Sequence, residues 1–252
     1  MRREKLYLST ICDDYRNLAK TYHLGLEIAD YCTAYNMDEH FDETDKKVKE
    51  DMKYANNFTF HAPFNELCPA AIDPKIKKIA YERYEQAFKL AEKYNIKKIV
   101  IHSGYIPLVY YKSYFIEEAI KFFKDILKLV GNDTCICLEN VMEDEYNMLL
   151  EIVKKVDDKR FGLCLDIGHA NASSDIDVLK WLEEDYKYIN HFHIHNNYGK
   201  KDEHNSLDKG NIDMKAFFEN AGKLCPNASY TIESMDGYNS IKYLIDNKIL
   251  ED

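Results

Sequence analysis

Histidine, aspartate and glutamate recur in this 252-residue chain at the ends of short apolar runs. His61 closes the run in FTFHAPF, His102 that in IVIHSG and Glu139 that in CLEN. Asp166 and His169 close CLDIGH, and Glu233 closes TIES. His191, His193 and His195 alternate in HFHIH, and Asp202 and His204 follow in KKDEHNSLDKG. These are the nitrogen and oxygen donors that divalent metals take. A carboxylate in an apolar run is costly unless it is paired or metal-bound. Each residue alone has an ordinary explanation. A lone His102 is a hydrogen-bonded structural residue, a lone Glu139 a cap or ion-pair partner, a lone Asp166 the cap of a following helix. Six successive runs ending this way point to one shared metal site.

The three alternating histidines share one face of a strand. Not all of them can be ligands: one binds metal, and the others pack or orient substrate. Asp202 and His204 suit a pair of ligands from one extended loop. Lys200, Lys201 and Lys209 flank that loop, as a solvated cluster or as phosphate contacts. His23 and His40 read as surface or helix residues.

The runs that carry these groups are strand-like: 7–11, 24–29, 57–63, 98–103, 134–141, 161–169, 189–196 and 229–234. Each is short and rich in Ile, Val, Leu, Phe or Cys, as in strands buried on both faces. Helical patterns fill most gaps, at about 42–54, 74–94, 113–130, 144–156, 213–224 and 238–248. Asp73 and Pro74 open the second of these well. Asp175 is the expected cap of the helix carrying Leu179 and Leu182. Strand and helix in alternation predict an α/β chain, a single (β/α)8 TIM barrel over 1–252. An open doubly wound sheet is the alternative, but no glycine-rich fingerprint follows the first strand, and the chain has only 9 glycines. In such a barrel the strand ends converge at the C-terminal face, where active sites lie.

A net charge of -10 argues against a nucleic acid or membrane held by general electrostatics. The seven cysteines form no framework, and Cys135, Cys137 and Cys164 sit in apolar runs, as free thiols of a reducing compartment do. Cys135 and Cys137 share a strand face, but the missing second pair argues against a zinc site there. No stretch has the apolar length of a membrane span, and no signal peptide is seen, so a cytoplasmic protein is expected.

In this order, FHAPF, IHSG, CLEN, LDIGH, HIHNN, DEHNSLDKGNID and IES resemble the motifs of the xylose isomerase-like barrels. That superfamily includes sugar epimerases, inositol-catabolism isomerases and endonuclease IV (AP endonuclease family 2). The resemblance implies a metal core of Glu139, Asp166, His193 and Glu233. It implies that Glu139 and Glu233 act as base and acid on opposite faces of a substrate that His169 touches. The likeness to endonuclease IV implies further ligands at His61, His102, His169, Asp202 and His204, and hence one to three ions of Zn2+, Mn2+ or Mg2+. Asp208 stands where the family usually has a glycine, Asn196 where Asp is frequent, and Phe64 where the endonucleases usually have Tyr. The inserted arginine-bearing loops with which those endonucleases penetrate DNA are missing. The expectation is therefore a metal-dependent isomerase or epimerase of a sugar or sugar phosphate. The alternative is a zinc-dependent phosphoester hydrolase that cuts abasic-site DNA.

Overall fold

Apolar runs too short for helices become strands, and the polar ends of those runs become the rim of a barrel. The computed structural model describes residues 1–250. Its strands are β1 (Leu6–Ser9), β2 (Gly25–Ile28), β3 (Phe58–His61), β4 (Lys98–His102), β5 (Cys135–Glu139), β6 (Phe161–Asp166), β7 (Ile189–Ile194) and β8 (Ser229–Ile232). They pair in parallel and in sequence order, and β1 closes on β8. The expected barrel is the observed one.

Among the described residues, nine α-helices lie between the strands and a tenth follows β8: α1 (Tyr15–Tyr22), α2 (Ala34–Met37), α3 (Phe41–Asp51), α4 (Pro74–Lys93), α5 (Lys112–Ile126), α6 (Asn147–Val156), α7 (Ile167–Ser173), α8 (Val178–Asp185), α9 (Met214–Leu224) and α10 (Gly237–Asp246). Asp73 caps α4 through Oδ1, which accepts from Lys75 N at 2.8 Å, and Pro74 takes the first helical position. Three sequence expectations need correction. Asp177, not Asp175, caps α8, accepting from Leu179 N at 2.8 Å. The helix expected from 144 starts at Asn147, because the Glu143 side chain instead holds the turn before it, accepting from Val141 N at 2.6 Å. The run 161–169 is not all strand: β6 stops at Asp166, and His169 lies in the first turn of α7.

Side chains alternate across each strand. One set, including Leu6, Leu8, Leu26, Ile28, Phe60, Ile99, Ile101, Leu138, Leu165, Phe192 and Ile232, joins the large apolar core. The other set faces the barrel axis. Branched aliphatics usually fill that space. Here Val100, Cys137 and Cys164 form only a small apolar plug, with Cys135 packed against it. Cys135 and Cys137 share a face as expected, their sulfurs 3.8 Å apart. Much of the remaining interior is polar. Glu27 of β2 meets His191 and His193 of β7, three strands away, so contact runs through the interior. Among the described residues, no helix is long and apolar enough to cross a membrane.

Candidate metal centre

Parallel register sets the height of each group. His102 pairs with Glu139, and Asp166 with His193, so strand-end side chains reach one level. Asn140 then staples β5 to β6. Its Oδ1 accepts from Asp166 N at 2.9 Å, and its Nδ2 donates to Asp166 O at 2.8 Å. Asp166 turns inward and also caps α7, its Oδ1 accepting from His169 N at 2.7 Å. The ordinary role and the site role of Asp166 therefore coexist.

The structure brings together all nine of the candidate ligands expected from the sequence. The inner group is Glu139, Asp166, His193 and Glu233, whose donor atoms lie within 4.8 Å of one another. His193 Nδ1 is 3.0 Å from Glu139 and 3.4 Å from Glu233. On one side, His61 Nε2 and His102 Nε2 each stand 3.3 Å from Glu139 Oε2. Phe64 stacks on His102 with centroids 4.3 Å apart. On the other side lies an outer group of His169, His195, Asp202 and His204. His169 Nε2 is 3.2 Å and His204 Nε2 2.9 Å from Asp202. Lys209 approaches Asp236 at 3.7 Å, so one of the three flanking lysines has an acidic partner.

The geometry separates the three alternating histidines. His193 faces the inner group. His191 lies below, bonded to Ser229 and Thr231. His195 faces outward to Asp166 at 3.1 Å and stacks on His204 with centroids 4.0 Å apart. Gly168 makes room for His195, because a Cβ there would overlap the ring. Asn196, in the position where Asp is frequent, ties the β7–α9 loop together: it donates to Leu207 O and accepts from Asn197 N and Ile212 N.

Sequence reasoning did not single out Glu27 or assign His195 to the outer group. Glu27 had a signal, since it is a charge inside the apolar run LGLEIA. His195 had none, because its role depends on where the loop brings Asp202 and His204.

Burial works against every charge here, and the partners decide the outcome. Burial pushes Glu139 up, but His193 and His102 hold its carboxyl well below the usual range. Glu233 goes the other way: burial, with Glu139 and Glu27 nearby, raises it to about 7 despite His193. Burial keeps His102 low in spite of Glu139. His204 rises to about 9 against burial because Asp202 and Glu233 are close.

The residues fit a bound cation. Glu139 Oε2, Asp166 Oδ2 and both ring nitrogens of His195 are buried, and none completes a hydrogen bond even with the ionisable groups that stand near Glu139 Oε2 and His195 Nε2. Orphaned polar atoms of this kind are rare in the absence of a ligand or ion. The donor set mixes imidazole nitrogen with carboxylate oxygen, which suits Zn2+ or Mn2+.

A family model described as xylose isomerase-like TIM barrel matches residues 10–234. The chain belongs to this family. Within that frame it is 28% identical to the uncharacterized protein MJ1311 of Methanocaldococcus jannaschii, covering 75% of this chain and 68% of that one. A solved D-tagatose 3-epimerase-like protein aligns at TM-score 0.76 and 25% identity, over 97% of this chain and 96% of the other. The TTHB071 protein from Thermus thermophilus, soaked with ZnCl2, aligns at TM-score 0.79 over 96% of this chain and 97% of its own. At 18% identity that likeness speaks for the fold.

Proposed function

We propose that this chain is a divalent-metal-dependent isomerase or epimerase of a sugar or sugar phosphate. One observation carries the reading: two carboxylates, Glu139 and Glu233, converge on His193 Nδ1, at 3.0 and 3.4 Å. Glu139 is held well below the usual carboxylate range, and Glu233 is raised to about 7. Carboxylates separated in this way mark an acid and a base. Ionised Glu139 removes the proton from the carbon beside the substrate carbonyl, and the electron pair moves to the carbonyl oxygen. Glu233 returns a proton to that carbon from the opposite face. His169, with Nε2 turned toward Asp202 at the mouth, contacts the substrate. Bound at Glu139, Asp166, His193 and Glu233, a divalent ion supplies Lewis-acid polarisation of adjacent substrate oxygens. Similarity to a D-tagatose 3-epimerase-like protein supports the substrate class.

A second reading, a zinc-dependent phosphoester hydrolase resembling endonuclease IV, has its own support. His61 and His102 flank Glu139 Oε2 equally, and the outer group adds four donors, so there is room for more than one ion. Held by these residues, clustered zinc would supply activation of water and neutralisation of phosphate charge. DNA is a partner only under this reading.

The test is incubation of metal-loaded protein with a panel of ketoses and ketose phosphates in D2O, beside abasic-site DNA. The isomerase reading expects deuterium at the carbon next to the carbonyl and intact DNA. Incised DNA with unlabelled sugars would replace it with the second reading.

A further inference from the structure

The histidines of the mouth are not all held in the same way. His61, His169 and His204 each donate from Nδ1 to a main-chain carbonyl: Ala62 at 2.9 Å, Asn140 at 2.9 Å and Glu233 at 2.7 Å. Each therefore turns Nε2 to the site. His193 is reversed. Its Nδ1 faces Glu139, Glu233 and Asp166, and its Nε2 points into the barrel. The carbonyls of a closed barrel are spent on neighbouring strands, so none is free to fix this ring. A side chain must do it, and Glu27 Oε1 lies 3.1 Å from His193 Nε2, two buried atoms that have no other hydrogen-bond partner.

Glu27 has no solvent exposure. A carboxylate there needs compensation, and the middle of the barrel supplies it. Thr59 and Thr231 donate to Glu27 Oε2 at 2.9 and 3.1 Å. His191 Nε2 stands 3.4 Å from the same oxygen. His191 is itself braced by Ser229 at 2.6 Å, and Lys98 donates to Ser229 from below at 2.6 Å. The polar interior of this barrel thus ends in one carboxylate oxygen under the ring of His193.

We infer that Glu27 is a positioning residue for the metal centre. Its Oε1 is the acceptor within reach of His193 Nε2–H, and it selects that tautomer over the one in which Nδ1 donates to Glu139 at 3.0 Å, leaving Nδ1 bare for an ion. This rests on the metal centre of the proposed function but not on which reaction occurs there. A carboxylate on the far nitrogen orients a ligating imidazole and raises its basicity, and removing such a partner typically costs about 10- to 100-fold in metal affinity.

Zinc is the probe, and Glu27→Gln the variant. Competition titration should give about 10- to 100-fold weaker zinc binding with the same number of ions at saturation. In the zinc-loaded wild type, 15N NMR should place the His193 proton on Nε2, with that resonance shifted in the variant. Unchanged affinity would overturn the inference. So would a proton on Nδ1. So would loss of a whole ion at saturating zinc, which would make Glu27, His191 and His193 a site in their own right. If the variant does not fold, the wild-type NMR decides alone. A purely structural Glu27 would lower the melting temperature without moving the His193 resonance. Wild-type protein that binds no zinc would instead sink the metal centre itself.

Discussion

The inner and outer candidate metal groups share one barrel mouth but are made of different material. Glu139, Asp166, His193 and Glu233 stand at or just past strand ends, and none is more than 6% exposed. In the outer group, His195 directly follows β7 and is fully buried, but His169 comes from the first turn of α7, and Asp202 and His204 come from a loop, with side chains 37% and 26% exposed. His204 also sits at φ 47°, a left-handed conformation uncommon for a residue with a side chain. Strand ends give fixed geometry, which proton transfer requires. Loops give geometry that varies among relatives of one fold. Under the proposed function this difference is a division of labour: the inner group for chemistry, the outer group for what the reaction acts on.

The largest expected effect breaks the inner group. Glu233→Gln keeps the shape but cannot exchange a proton, so kcat should fall by about 10²- to 10⁴-fold. Titration with Mn2+ or Zn2+ should still find an ion bound. A variant that turns over at the wild-type rate would remove Glu233 from the chemistry.

A smaller effect is expected in the outer group. His204→Ala should cost at most one ion per chain and reduce kcat far less than Glu233→Gln. If its loss were as large, the two groups would act as one unit, which favours the hydrolase. The same variant reports on pH. His204 is raised to about 9 in the metal-free fold, against about 6.5 unfolded. Its stabilising contribution is therefore complete below about 6.5 and lost as pH rises through 9. Asp202 is depressed, because its histidine partners outweigh burial. Its contribution is present above about 4 and lost as pH falls through the depressed value. Melting temperature measured in chelator should thus decline between pH 6.5 and 9, and His204→Ala should flatten that decline. An equal slope in both proteins would dissociate His204 from the effect.

The smallest effect lies outside both groups. Asp73→Ala removes the cap of α4 and should cost about 1 kcal/mol by denaturant titration, leaving metal content and kcat unchanged. A change in metal content would mean that the mouth is less independent of the outer helices than the geometry indicates.

The two groups also differed in how far the sequence revealed them. Inner ligands end apolar runs, so the strand pattern locates them directly, and the barrel follows from the same pattern. His169 fell in a run that reads as continuous strand, because Ile167 and Gly168 carry no helix signal. Only the Asp166 cap starts a helix there. The short helix α1 escaped notice because it buries just Leu18 and Ala19. Among three alternating histidines, spacing cannot say which faces metal. That depends on barrel curvature and on Glu27 across the interior, both set by tertiary closure.

The claim on which the rest depends is that the mouth is a metal centre. Elemental analysis of protein purified without chelator, with Asp166→Ala beside the wild type, tests it most directly. The account predicts at least one divalent ion per wild-type chain and the loss of an ion in the variant. Wild-type protein that carries no metal, takes up none on titration and still turns over substrate would contradict it.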